Sequence, residues 1–184
     1  ADTLLALNTK ANANAGWDSW TYENGIPVLE KFAAEVETIN VTPDTSWLNE
    51  GAGTEADPYI LIDAADLYGF SNAVSGGNSF DGKVIVLATN VKVNKGSATN
   101  FANEAPANAW TPIGKNEDYQ FHGTFDGRGN TISGIYKDWT SGFTGLFGYA
   151  GANSTIKNVR LENSYFKTTK GDGGSIVGRT DGNL

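Results

Sequence analysis

The feature that most constrains the fold is a short repeat in the last third of the chain. Thr131-Ile132-Ser133-Gly134-Ile135 matches Thr155-Ile156-Lys157-Asn158-Val159 at an offset of 24. Gly145-Leu146-Phe147-Gly148 matches Ser175-Ile176-Val177-Gly178 at an offset of 30. On this alignment the segment between the marks grows from residues 136–144 to 160–174, so one loop takes up the variation. Two short strands per period with one variable loop suit a β-solenoid, whose turns bury apolar side chains against the turns above and below. Phe80-Asp81-Gly82-Lys83 and Phe125-Asp126-Gly127-Arg128 echo each other at 45.

The composition fits a core divided among many turns. Of 184 residues, 23 are Gly and 19 are Asn, while Leu, Ile, Val and Phe together number 40. That apolar content lies just above the level of roughly 20% that marks disordered chains, and it disfavours a helical bundle. The net charge is −8. No basic stripe appears, so a nucleic-acid partner is not expected. No apolar run approaches the roughly 18 residues of a membrane-spanning helix. Without Cys the chain has no disulfide framework, thiolate chemistry or cysteine metal site, and one histidine cannot build a multi-histidine zinc site.

Along the chain, Asp2 is placed to cap a helix with Leu4, Leu5 and Leu7 on its apolar side. Residues 19–29 read as a β-hairpin around Asn24-Gly25, with Pro27 marking an edge strand. Residues 33–50 read as a linker or an extra strand around Val36–Val41, broken at Pro43. A new unit starts at Gly51. Pro58-Tyr59-Ile60-Leu61-Ile62 has the continuous apolar character of a strand buried on both sides. Asp63 caps a predicted helix over 64–74, whose Leu67, Phe70 and Val74 share one face and which Gly76-Gly77 ends. Strands are predicted over 83–87, 91–93, 110–113 and 120–125.

Several of these pieces together resemble a known pattern. Trp110-Thr111-Pro112-Ile113-Gly114, Phe121-His122-Gly123-Thr124-Phe125-Asp126-Gly127, Thr131–Ile135 and Gly145-Leu146-Phe147-Gly148 resemble the GLUG-motif bacterial surface proteins. Similar repeats also stand beside immunoglobulin-A-specific metallopeptidase domains. The stretch from Gly51 to Ile62, followed by Ala65-Asp66-Leu67, resembles the opening segment of such units. In the second copy, Ser175-Ile176-Val177-Gly178 stands for the name-giving tetrapeptide. The resemblance covers residues 51–184 and implies a mainly β fold, a right-handed parallel β-helix with a short N-terminal capping helix. Residues 1–32 resemble the helix-and-hairpin piece that closes such a unit. The expected organisation is therefore a closing piece at 1–32, a linker or extra strand at 33–50, and a β-helix unit at 51–184 truncated at its C-terminal end. Its open end is expected to be covered by residues 1–32 or by a neighbouring molecule.

Candidate sites compete with simpler structural roles. His122 lacks an evident nucleophile or orienting partner and reads as structural. Asp126-Gly127 and Asp81-Gly82 are turn formers before they are ligands. Neither the stretch 126–130 nor Gly171-Asp172-Gly173-Gly174 matches a calcium loop. Gly145 and Gly148 lack the Lys-Ser/Thr of a phosphate loop. Glu117-Asp118 and Glu35/Glu37 read as solvated charge rather than paired catalytic carboxylates. Of the aromatics, Trp110 is expected in the core, whereas Trp139 and Tyr136, in the loop 136–144, are the candidate glycan contacts. Trp110, Pro112, Ile113, Gly114, Phe125, Asp126, Gly127, Gly145, Leu146, Phe147 and Gly148 form the structural motif.

The functional expectation is a non-enzymatic, extracellular structural or adhesion module of a bacterial surface protein, presenting loops on a rigid β-helical rod. The alternatives are a carbohydrate-binding or glycan-active β-helix, or an accessory repeat of a secreted protease. No catalytic residue, metal or cofactor is assigned. The expected partners are a host glycan or surface protein, or a second copy at the open end, with no nucleic acid and no membrane insertion within this chain.

Overall fold

The computed structural model describes residues 20–23, 26–29 and 40–181. Its contacts divide the chain into two compact units, residues 1–39 and 40–184. The helix expected from Asp2 onward, the strand residues 36–39 and the Asn24-Gly25 turn lie outside the described residues.

In the first unit, β1 (Trp20–Glu23) and β2 (Ile26–Leu29) form an antiparallel hairpin. Trp20 pairs with Leu29 and Glu23 with Ile26. This is the register that a two-residue connection at 24–25 dictates.

The second unit is mainly β, built from short parallel strands. In chain order these are β3 (Tyr59–Leu61), β4 (Val84–Leu87), β5 (Val91–Lys92), β6 (Thr124–Asp126), β7 (Thr131–Ser133), β8 (Tyr136–Trp139) and β9 (Phe147–Ala150). They continue as β10 (Thr155–Lys157), β11 (Arg160–Glu162), β12 (Tyr165–Thr168) and β13 (Val177–Thr180). Two helices interrupt them, α1 (Ala64–Ser75) and α2 (Ala98–Asn103). The strands form sheets in the orders β10-β6-β4-β3, β11-β7-β5, β12-β8 and β13-β9. Every pair within these four sheets is parallel. No described helix is long and apolar enough to cross a membrane.

The register bears out the offset of 30 between 145–148 and 175–178 and corrects the offset of 24. Ile156 lies beside Phe125, Leu161 beside Ile132, Tyr165 beside Tyr136 and Val177 beside Phe147. Thr155-Ile156-Lys157 therefore stacks on Thr124-Phe125-Asp126, not on Thr131-Ile132-Ser133. The spacing is nearly constant, and no loop has to grow. The stretch 136–144 is not one variable loop, because its first four residues are β8, paired with β12. The echo at 45 is not a stacking relation either, since Phe125 sits beside Ile85. Three-residue strands of similar β-branched composition match one another at several offsets. Only the inward-facing side chain of each selects the true partner.

That inward column is the core. Leu61, Ile85, Leu87, Phe125, Ile132, Leu146 and Phe147 are fully buried. Each contributes about 1.5–3 kcal/mol relative to exposure. Helix α1 lies against it as the sequence predicts. The Asp63 carboxylate accepts the Asp66 N–H at 3.0 Å, Leu67, Phe70 and Val74 are buried, and Gly76 closes the C-terminus. Phe70 is the hub, with its ring 5.3–6.4 Å from those of Phe80, Phe121, Phe125, Phe147 and Trp47.

One further expectation changes. β3 is not buried on both sides: Leu61 is buried, but Ile60 and Ile62 are 41% and 57% exposed. β3 is the edge of its sheet, and among the described residues no layer covers the outer face of that edge. Of the linker or extra strand expected over 33–50, only residues 40–50 are described, and they form no strand. They make a single 3-10 turn, Ser46–Asn49, which buries Trp47 against Tyr59, Phe70 and Phe80. Trp47 Nε1 also donates to the Asp44 carbonyl at 2.9 Å.

Candidate functional site

The motif residues converge, and they do so inside the protein. Trp110 is fully buried, with its ring edge-on to Tyr68 and its Nε1 donating to the Leu146 carbonyl at 3.2 Å. Ile113 N–H donates to the same carbonyl at 3.0 Å, and Gly148 N–H donates to the Ile113 carbonyl at 2.8 Å. Gly114 has φ +76°, and a Cβ there would fall 2.3 Å from the Tyr149 carbonyl oxygen. Pro112, Gly145 and Gly127 are buried with them. These positions fix how the backbone of 110–114 runs beside 145–149. Their chemistry is that of close packing.

Asp126, at the end of β6, faces outward. It accepts the Arg128 N–H at 2.9 Å and the Asn158 side-chain amide at 3.0 Å, with Lys157 Nζ at 3.7 Å. Partial burial pushes its carboxyl up. The two hydrogen bonds and the Lys157 and Arg128 charges together outweigh that and hold it below the usual carboxylate range. Asp81 occupies a turn between Phe80 and Gly82, both at positive φ.

Tyr136 and Trp139 belong to one strand but not to one platform. Three positions apart on β8, they lie on opposite faces. The Tyr136 ring stacks on Tyr165 at 5.7 Å and meets the edge of Phe101 from α2. Trp139 instead lies under the Lys137 ammonium, 3.8 Å from its ring centre. Burial pulls the Lys137 amine below its ordinary value. Both aromatics are half-buried.

His122 is half-buried, and its backbone N–H donates to the Ser79 carbonyl at 2.8 Å. Its ring lies over Gly151, where a Cβ would come within 2.2 Å of it. Glu117 faces Arg179 at 3.5 Å and is mostly exposed. Among the described residues, no three His, Cys, Asp or Glu side chains are grouped to hold a metal. Glu35 and Glu37 lie outside the described residues, as do the side chains of Trp17, Trp20 and Tyr22.

Sequence reasoning missed two surface constellations. Arg179, on β13, reaches Glu117 and Asp172 and lies 5.4 Å from the Phe143 and Tyr149 rings. The Tyr149 hydroxyl donates to Asp181, which pushes the phenol pKa up. The second is a shallow, open cleft of about 560 Å³ lined by Asp126, Arg128, Gly129, Asn158, Val159 and Arg160. Arg160 gave no sequence signal, because the offset of 24 put it beyond the repeat instead of beside Thr131.

Two relatives resemble the chain in sequence. Halomucin of Haloquadratum walsbyi is 31% identical over 135 residues, which is 73% of this chain and 1% of halomucin. A protein described as a Gly-rich membrane protein, of Evansella cellulosilytica, is 30% identical over 141 residues, 76% of this chain and 15% of that protein. The chain thus spans a small part of the curated relatives it matches. No family model matches the sequence, and no solved structure matches it.

Proposed function

We propose that residues 51–181 are a right-handed parallel β-helix of the GLUG-motif kind, serving as a non-enzymatic structural or adhesion module at a bacterial cell surface. The observation that carries this reading is the direction in which the motif residues point. Trp110, Ile113, Phe125, Leu146 and Phe147 are all buried in one core. Selection on such a motif acts on stacking, which leaves the outward positions free to vary with a partner. Parallel strands that succeed one another along the chain need a crossover between them, and such crossovers are right-handed in about 98% of cases. The names of the relatives support a surface setting, since one is described as a Gly-rich membrane protein and the other is halomucin. The partner on this reading is a glycan or protein of the host or of the surrounding matrix.

Protease treatment of intact producing cells, followed by blotting with antibody against this chain, tests the location. Cleavage without lysis is expected. Protection in intact cells with cleavage only after permeabilisation would overturn the surface assignment.

A further inference from the structure

We propose that the corner where β6 and β10 turn into β7 and β11 is a binding cleft for an acidic polysaccharide, whose carboxylate or sulfate groups seat on Arg128 and Arg160. The inference goes beyond a structural role. It depends on the pairing of β6 with β10, not on where the protein resides.

The charge at this corner opposes that of the chain. The molecule carries −8, yet two of its three arginines line this one cleft. Both are exposed, and neither lies within ion-pair distance of a carboxylate among the described residues. Asp126 is the one carboxylate lining the cleft, and it is already committed to the Arg128 N–H, the Asn158 amide and Lys157. Arg160 thus has no carboxylate partner among the described residues, and Arg128, whose charge acts on Asp126 without an ion pair, keeps its guanidinium donors for an external anion. The backbones of the two corners are also tied to each other. Gly127 N–H donates to the Lys157 carbonyl at 2.9 Å and Gly129 N–H to the Asn158 carbonyl at 2.8 Å. A Cβ at Gly127 would sit 2.5 Å from the Asn158 oxygen, so the two chains touch there. Guanidiniums held on a fixed backbone suit planar, bidentate anions such as carboxylate and sulfate.

The neighbouring surface favours a sugar over other polyanions. A second hollow of about 380 Å³ shares Asp126 and Arg128 with the first, and Glu55, Pro58, Val84, Val86, Thr124 and Lys157 also line it. Half-buried Pro58 and Val84 give this hollow an apolar strip beside Arg128, which fits the C–H face of a sugar ring that carries one charge per residue. A nucleic acid or an anionic membrane would need a longer basic stripe than this arginine pair supplies.

Affinity electrophoresis of the full chain through gels containing polygalacturonate, dextran sulfate or neutral dextran tests this. Retardation is expected in one or both acidic gels and not in neutral dextran, and comparing the two acidic gels separates carboxylate from sulfate. Arg128→Gln and Arg160→Gln should each weaken retention by about tenfold, as the loss of a charged hydrogen bond implies. Lys170→Gln, in an exposed loop elsewhere, should leave it unchanged. Circular dichroism confirms folding, and Arg160→Gln decides the matter if Arg128→Gln does not fold. Absence of retardation in both acidic gels, or retention unchanged in Arg160→Gln, would overturn the proposal. Equal competition by single-stranded DNA would overturn the assignment to a polysaccharide.

Discussion

Gly69 shows how a single residue's effect depends on what lies over it. In the middle of an exposed helix, replacing Gly by Ala stabilises by about 1 kcal/mol. Here the Asp44 backbone crosses the helix at that point, with Asp44 N–H donating to the Ala65 carbonyl at 2.9 Å. A Cβ on Gly69 would fall 1.6 Å from the Asp44 oxygen. Gly69→Ala is therefore expected to destabilise by at least about 1–3 kcal/mol, the cost of overpacking. Urea denaturation measures it, and a stabilised variant would show that 40–50 does not dock as described. Asp126 supplies a residue-scale prediction on pH. Its folded pKa lies below the unfolded value of about 3.9, so its contribution is present above that value and is lost as pH falls through the folded pKa. Between pH 5 and pH 3, Asp126→Asn should lose less stability than the unaltered chain. Equal losses in thermal melts would remove the case for its hydrogen-bonded charge.

Among the elements, α1 was readable from sequence because its signals are local. The cap at Asp63, the face of Leu67, Phe70 and Val74, and the Gly76-Gly77 stop all lie within fifteen residues of one another. The hairpin at 20–29 was readable for the same reason. The pairing of the parallel strands was not, because β6, β7, β10 and β11 are three residues each and resemble one another. Their partners lie about thirty residues away and are chosen by burial. β8 was misread as loop because Tyr136-Lys137-Asp138-Trp139 does not alternate apolar with polar. On one face Tyr136 meets Phe101 and Tyr165, and on the other Lys137 lies over Trp139 of the same strand. Core position also grades the cost of truncation. Phe70→Ala, at the hub of five aromatic rings, should cost about 3–5 kcal/mol. Ile156→Ala, half-buried in the last strand of its sheet, should cost about 1–2 kcal/mol. Denaturant midpoints at constant slope would check the ranking, and equal costs would mean that the core is not centred on α1.

For the molecule as a whole, the glycines and asparagines now have places. Gly114 and Gly127 let neighbouring backbones touch, and Asn158 holds a left-handed corner with φ 53°. The function carried by such a stack was less legible than its folding. The residues that repeat are the ones that pack, whereas the Arg128–Arg160 cleft is assembled from two corners that sequence alignment did not bring together. The central claim is the register that does bring them together, with β10 on β6. Because the chain has no cysteine, a designed pair reports on that register without interference. Thr124 and Thr155 are register partners on the outer face of the sheet. Parallel partners at this spacing are within disulfide reach. In the variant carrying Thr124→Cys and Thr155→Cys, mild oxidation should close an intramolecular disulfide without loss of folding. In the variant carrying Thr131→Cys and Thr155→Cys, the pairing that the offset of 24 suggests, it should not. Cross-linking in the second variant and not in the first would contradict the stack described here.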